Sequence, residues 1–258
     1  MNLKQITSFA FATLLSFSAF ADFRVLHVQG EIYNETKKKA VQLGDIIAET
    51  EVLKVRSENA FCYLLNNDEK ARYALKATSL AAGKVMEMFS PIPVRKAITS
   101  RGDENGQVLK LSEHFGQDSY VFLSQKEEVP LHPDYFDVSG ESVFISKTTS
   151  GDQMIKSEVK REGNKLVFDL PAIMDGNEWE KFTMEIYQVN PNTKAFKKLG
   201  TVNASRLDLT TIKKEIENLK LAFGPMEPAE LNKEISLFLA DVYGHHNYQE
   251  LEKQLGNL

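Results

Sequence analysis

Few residues in this sequence are suited to covalent chemistry. The 258 residues include a single cysteine, which rules out a disulfide within the chain. Cys62 lies in the apolar run Ala60-Phe61-Cys62-Tyr63-Leu64, where neither a histidine nor a helix N-terminus is at hand to lower the pKa of its thiol. We therefore expect Cys62 to be a small buried residue of a strand, because a disulfide to another chain would need an exposed thiol.

The five histidines are not spaced for a metal site. Metal-binding helices favour ligands at positions i and i+4, and no pair here has that spacing. The adjacent pair follows a predicted helix end, where cationic side chains suit the helix dipole. The sequence predicts neither a metal nor a cofactor, and a metal site built from distant segments is the alternative. The histidines are His27, His114, His132, His245 and His246.

Carboxylate pairs are the remaining candidates for catalysis. Asp134/Asp137 and Glu178/Glu180 have the residue types of acid–base hydrolysis. They lie in polar runs of a chain with 36 acidic residues, so we interpret them as solvated surface groups. Neither the nucleophile elbow G-x-S-x-G nor the phosphate-binding patterns G-x-x-x-x-G-K-[ST] and G-x-G-x-x-G occur. We therefore predict no catalytic residues.

Aromatic side chains are better candidates for binding. Trp179, the only tryptophan, and the pair Tyr135-Phe136 are predicted to contact a partner, either a peptide or a carbohydrate. Packing between sheets is the alternative for all three. Arg101-Gly102-Asp103 matches a tripeptide that integrins bind, but a turn explains its glycine equally well.

The charge balance limits the classes of partner. The chain has 31 Lys and Arg against 36 Asp and Glu, a net charge of −5. A mildly acidic chain has no general attraction to nucleic acid or anionic lipid, although a local basic patch is compatible with it. We expect no nucleic-acid partner and membrane contact only through another protein.

Residues 1–21 have the order of a secretory signal. Lys4 lies in a short polar start, an apolar run follows, and Ala19-Phe20-Ala21 fits a cleavage site. We expect cleavage after Ala21 and a periplasmic or secreted mature protein, with an uncleaved anchor as the alternative. No cysteine follows the site, which excludes a lipoprotein anchor.

Several short β-type runs fill residues 22–76. In the first run, Phe23, Val25 and His27 are predicted on one face, with a bend or bulge at Gly30. Five such runs in a short segment predict a small barrel-like sheet.

This first segment resembles the FecR-like β module, known from ferric-citrate sensors and other exported bacterial proteins. The residues that carry the resemblance are the run Phe23-Arg24-Val25-Leu26-His27-Val28-Gln29-Gly30, the turn Leu43-Gly44-Asp45-Ile46, the strand with Leu53 and Val55, and the hairpin 60–75. The match covers residues 23–76, and its motif is a fold signature of low specificity. This chain departs from the sensor proteins in lacking their spanning helix. The resemblance therefore implies an extracytoplasmic structural or interaction domain and not the sensors' signalling role.

The rest of the chain divides into three parts. Residues 77–118 are predicted to connect the domains, with a short helix over 77–88. Half a dozen β-type runs in 119–205 predict a second antiparallel domain, sandwich-like, in which Phe182, Met184 and Ile186 share a face. Residues 206–258 change to helical periodicity. The predicted helices are 211–223, 227–244 and a last one capped by Asn247.

These observations predict a mainly β (α+β) fold with two small antiparallel β domains, barrel-like then sandwich-like, and C-terminal α-helices. The preferred function is that of an exported, non-enzymatic envelope protein that binds or scaffolds another envelope or secreted protein. One alternative is an envelope hydrolase, or an accessory subunit, with a site between the β domains. Its thiol-enzyme form requires Cys62, His27 and His114 to lie close together.

A second alternative is a ligand-sensing domain that reports to a membrane partner. It requires an exposed apolar patch on the helix bearing Leu231, Ile235 and Phe238.

Overall fold

The computed structural model describes residues 21–93, 106–138 and 141–256. It is 42% strand and 21% helix, so the predicted mainly β fold with C-terminal helices is confirmed. The predicted signal segment up to residue 20 and the tripeptide Arg101-Gly102-Asp103 lie outside the described residues. Within the described ranges, none of the helices has the length and apolar character that crossing a bilayer requires.

The first half of the chain contains these elements: β1 (Asp22–Gln29), β2 (Ile32–Asn34), β3 (Lys39–Ala40), β4 (Ile46–Ala48), β5 (Val52–Val55), β6 (Ala60–Asn66), β7 (Arg72–Ala77), β8 (Ala82–Lys84), α1 (Val85–Met88), β9 (Ser90–Pro91), α2 (Leu111–Phe115), β10 (Ser119–Phe122) and β11 (Lys126–Pro130). The second half contains β12 (Val143–Ser150), β13 (Gln153–Glu162), β14 (Lys165–Asp169), α3 (Leu170–Ile173), β15 (Lys181–Val189), β16 (Phe196–Arg206), α4 (Lys213–Phe223), α5 (Pro228–Val242) and α6 (Tyr248–Leu255).

The first β region consists of two antiparallel sheets around one core. Their strand orders are β4-β1-β6-β7-β9 and β3-β2-β5-β8. Alternating residues of both sheets supply the core, as the period of two along a strand requires. Its fully buried members include Phe23, Val25, Ile32, Leu53, Cys62 and Leu64.

A β-bulge changes the direction of one side chain predicted from alternation. Val25 pairs with Leu64 and His27 pairs with Tyr63, so one extra residue, Leu26, is inserted in β1. Leu26 and His27 consequently both face away from the core that contains Val25. The prediction that His27 shares a face with Val25 was therefore wrong. The bulge lies upstream of the predicted position, since Gly30 follows the end of the strand.

The second β region forms one sheet in the order β10-β16-β15-β12-β13-β14-β11. Neighbouring strands in this sheet run antiparallel, except that β10 and β16 are parallel to each other. Only residues 123–125 separate the two edge strands along the chain, and this sheet nearly closes into a barrel. Phe182, Met184 and Ile186 all face the barrel core, as predicted.

Short irregular segments cover both edges of the barrel. Val121 N–H donates to the His245 carbonyl at 2.6 Å, and His245 N–H donates to the Ser119 carbonyl at 2.8 Å. On the other edge, formed by β11, Val108 N–H donates to the Pro130 carbonyl at 2.8 Å. Covering an edge strand in this way removes a template for unwanted pairing with another chain.

The C-terminal helices form a third hydrophobic cluster between the two β regions. Leu26 and Tyr63 enter it from the first region, and Val121 enters it from β10. Ile235 and Phe238 of α5 are 1% and 0% exposed, so they belong to this core. The apolar docking patch expected for a sensor is therefore not exposed on α5.

The connecting region differs from its prediction. Residues 77–88 were expected to be helical, but β8 pairs with β5 there and only the one-turn helix α1 follows. Strand pairing outweighs the weak local helix preference. The strand β11 was missed because its sequence, Lys-Glu-Glu-Val-Pro, is mostly charged.

Candidate functional site

The three predicted binding residues have different environments. Phe136 is 4% exposed and belongs to the barrel core, so its predicted role in partner contact was wrong. Tyr135 is 53% exposed, and its ring lies 5.4 Å from that of His132. Trp179 lines a groove of about 750 Å³, which makes it the strongest candidate of the three.

The groove lies at one rim of the barrel. The link between the edge strands, represented by Leu123 and Gln125, forms one side. The segments that precede β15 and follow β16 form another side, and Gln254 of α6 completes the lining. Trp179 packs partly against the barrel core, and its indole Nε1–H donates to Gln153 Oε1 at 3.0 Å. The indole is thus held in one orientation beside an open surface.

The charged residues of the groove are Arg206 and three carboxylates. Arg206 N–H donates to the Glu180 carbonyl at 2.9 Å, which fixes its position beside Trp179. The half-buried Arg206 side chain makes no ion pair with any described residue. Glu178, Glu180 and Asp208 also line the groove, and the Thr210 N–H that donates to Asp208 lowers the pKa of that carboxyl. The groove therefore carries more negative than positive charge.

A buried polar cluster joins the two edges of the barrel. His114 Nε2–H donates to Glu127 Oε1 at 2.6 Å, since a carboxylate oxygen can only accept. The same oxygen accepts from the Tyr120 hydroxyl and from Asn247 Nδ2 at 3.2 Å. We call these four residues the seam cluster. Tyr120 lies on β10 and Glu127 on β11, so the cluster links the strands that the sheet leaves unpaired.

Burial suppresses ionisation of Tyr120 in the seam cluster and of the nearby His246. Burial, followed by the nearby Glu127 carboxylate, raises the pKa of Tyr120 well above its ordinary value. His246 lies at the same end of the helices, and burial lowers its pKa to about 4. Its Nε2 is 3.0 Å from Ser236 Oγ, a hydroxyl that satisfies the neutral ring. These closely packed groups have the properties of a structural network.

A second group of titratable residues lies between the first β region and the helices. His27 Nδ1 is 3.0 Å from Glu215 Oε1, and the Tyr243 hydroxyl donates to Glu215 Oε2 at 2.7 Å. We call these three residues the junction cluster. Burial and the Glu215 contact raise the pKa of the Tyr243 phenol. The bulge in β1 places His27 in this cluster, a displacement that simple alternation does not predict.

Cys62 is fully buried in the core of the first region, as the sequence predicted. Burial raises the pKa of its thiol, which disfavours the reactive thiolate. His27 lies on the opposite face of the sheet and His114 lies in the barrel seam. The three residues are not brought together, so the thiol-enzyme hypothesis was wrong.

No three His, Cys, Asp or Glu side chains in the described part of the chain are arranged to hold a metal ion. Comparisons of the chain with protein-family models, with curated proteins and with solved structures found no match. The FecR-like resemblance of residues 23–76 thus stays a prediction, and the function must be argued from the groove and the clusters themselves.

Proposed function

We propose that this chain is an exported, non-catalytic envelope component that holds a segment of a partner protein in the groove around Trp179. The supporting observation is that Trp179 and Arg206 line one groove. Tryptophan and arginine are among the residues that dominate binding energy at protein interfaces. The leader-like residues 1–21 support the export part of the proposal.

The fixed orientation of Trp179 favours binding. Its hydrogen bond to Gln153 and its packing against the barrel reduce the entropy that a partner would otherwise remove on binding. Three carboxylates and one guanidinium line the groove, so its charge suits a partner segment that contains lysine or arginine. Arg206, which is free of ion pairs with described residues, would donate hydrogen bonds to a carboxylate or carbonyl of the same segment.

The experiment is affinity purification of the full-length gene product from its native envelope after crosslinking. The tag follows a flexible linker after Leu258, because Gln254 lines the groove. The same partner should accompany the wild-type protein and the control Tyr135→Ala, whose aromatic ring lies outside the groove. It should be lost from Trp179→Ala. Recovery of the chain alone, or an unchanged set of partners with Trp179→Ala, would contradict the proposal.

The junction cluster favours one second candidate, an envelope hydrolase. His27, Glu215 and Tyr243 converge between the first β region and the C-terminal helices, and no described residue of the second β region takes part in their hydrogen bonds. In that case Glu215 and His27 would exchange a proton with the substrate. The test is release of soluble fragments from purified envelope polymer, which Glu215→Gln should abolish and Tyr135→Ala should preserve. Absence of release by the wild-type protein would exclude this candidate.

A further inference from the structure

The end of the β15–β16 hairpin is a basic and aromatic projection of the barrel. Every residue from 191 to 198 is exposed. Phe196 is 73% exposed, the highest value among the large hydrophobic side chains of the described residues. Its ring lies 6.4 Å from that of Tyr187, so the two form an aromatic pair. We call residues 190–198 the hairpin tip.

The tip is positively charged although the whole chain is acidic. No Asp or Glu occurs between Ile186 and Leu207, whereas the tip contains Lys194, Lys197 and Lys198. Lys198 pairs with Glu185, but the other two lysines make no ion pair within the described part of the chain.

The other charged groups near the tip come from neighbouring strands and loops. Glu141 accepts from Asn192 Nδ2 at 3.3 Å, and Lys147 contacts Glu185 at 3.1 Å. On β13, the exposed residues Lys156 and Glu158 pair with Lys147 and Ile145. The three tip lysines, Lys147 and Lys156 therefore face three carboxylates, which leaves a net positive charge.

An apolar surface continues from the tip onto the outer face of the barrel. Phe196 pairs with Val189, which pairs with Val143 on the next strand. Tyr187 pairs with Ile145 in the adjoining row. These side chains are partly exposed, and the helices that cover β10 do not cover them. An exposed aromatic on an apolar patch, bordered by lysines, matches the chemistry of a lipid headgroup boundary.

We propose that the hairpin tip docks this protein on an anionic lipid surface, with Phe196 inserted among the headgroups and Lys194 and Lys197 on lipid phosphates. This differs from the expectation that membrane contact occurs only through another protein. It is independent of the Trp179 groove, which lies at the opposite end of β15 and β16.

The test is flotation of the purified full chain with vesicles of phosphatidylglycerol and phosphatidylethanolamine, compared with phosphatidylcholine alone. The protein should bind the anionic vesicles, and binding should fall at high salt. Lys194→Ala with Lys197→Ala should weaken binding about 25-fold, roughly fivefold for each charge. Phe196→Ala should weaken it about tenfold. The control Met154→Ala removes a 53% exposed side chain from another hairpin and should have no effect.

A measurement of insertion depth tests whether the hairpin tip, and not another surface of the protein, contacts the lipid. The variant Phe196→Trp, in a Trp179→Phe background, has its single tryptophan at the tip. The emission of that tryptophan should shift to the blue on anionic vesicles and should be quenched by brominated lipid. Absence of vesicle binding, or binding without quenching at position 196, would overturn the proposal. Capture by polyglutamate beads without vesicle binding would also overturn it, because it would assign the tip to an acidic protein.

Discussion

The seam cluster should contribute strongly to stability, and Glu127→Gln tests this contribution. Glu127 is 5% exposed, and one of its oxygens accepts from His114, Tyr120 and Asn247. An amide at this position keeps an acceptor oxygen for all three donors but removes the negative charge that strengthens each bond. The substitution preserves the size of the side chain, so cavity formation does not contribute to its effect.

The magnitude follows from the number of bonds. A hydrogen bond to a charged group contributes about 1.5–3 kcal/mol, and a neutral one contributes about 1 kcal/mol. Glu127 accepts three such bonds, so the change from a charged to a neutral acceptor loses about 0.5–2 kcal/mol for each bond. We expect Glu127→Gln to lower the free energy of unfolding by about 3 kcal/mol. For a chain of this size that corresponds to a Tm lower by about 6–12 °C.

The assay is urea and thermal unfolding followed by circular dichroism and by the fluorescence of Trp179, which reports on the barrel rim. Glu128→Gln is the matched control. Glu128 neighbours Glu127 and has the same chemistry, but it faces solvent and pairs with Lys165 at 2.9 Å. Its substitution should leave the Tm unchanged. Equal stability of the two variants would refute the idea that the seam cluster holds the barrel edges together.

Three further predictions concern buried groups and a close backbone contact. Because the pKa of His246 is about 4 in the folded chain and about 6.5 when unfolded, stability should fall by up to about 3 kcal/mol as the pH drops from 6.5 to 4. His246→Gln should flatten that decline in urea titrations, and His132→Gln should not. Cys62 should react with a thiol reagent only after unfolding, so rapid labelling of the native chain would contradict its burial. Gly244→Ala should lower the Tm, because a Cβ there would lie 2.8 Å from the Ser119 carbonyl oxygen at a φ of +132°, whereas Gly151→Ala, at positive φ but in open space, should cost less.

Elements with strong local periodicity were predictable from the sequence. In β15 the alternation of Phe182, Met184 and Ile186 with polar residues identifies both the strand and its buried face. Helix α5 was predicted equally well, because its apolar side chains recur at helical spacing between Pro228 and Gly244. Each signal lies within one element, so no knowledge of distant partners was needed.

The candidate site depends on pairing between distant strands and was predictable only in part. Trp179 was identified from its residue type, but Arg206 joins it because Lys181 pairs with Ser205. A bulge near Ile186 shifts this register by one residue, and no local pattern signals it. The seam cluster likewise depends on two edge strands that lie close together without pairing. Nothing local distinguishes Glu127 from a surface residue, because both of its neighbours in the chain are charged.

The two proposed surfaces have a fixed relation because the same two strands lead to both. β15 begins beside the groove and ends at the hairpin tip, and β16 returns from Phe196 to Arg206. At about 3.4 Å per residue, the nine residues of β15 separate the surfaces by roughly 30 Å. A tip inserted at a membrane would therefore hold the Trp179 groove away from the lipid and open to a partner. The pairing of β15 with β12 and β16 along its length holds the two surfaces at this separation.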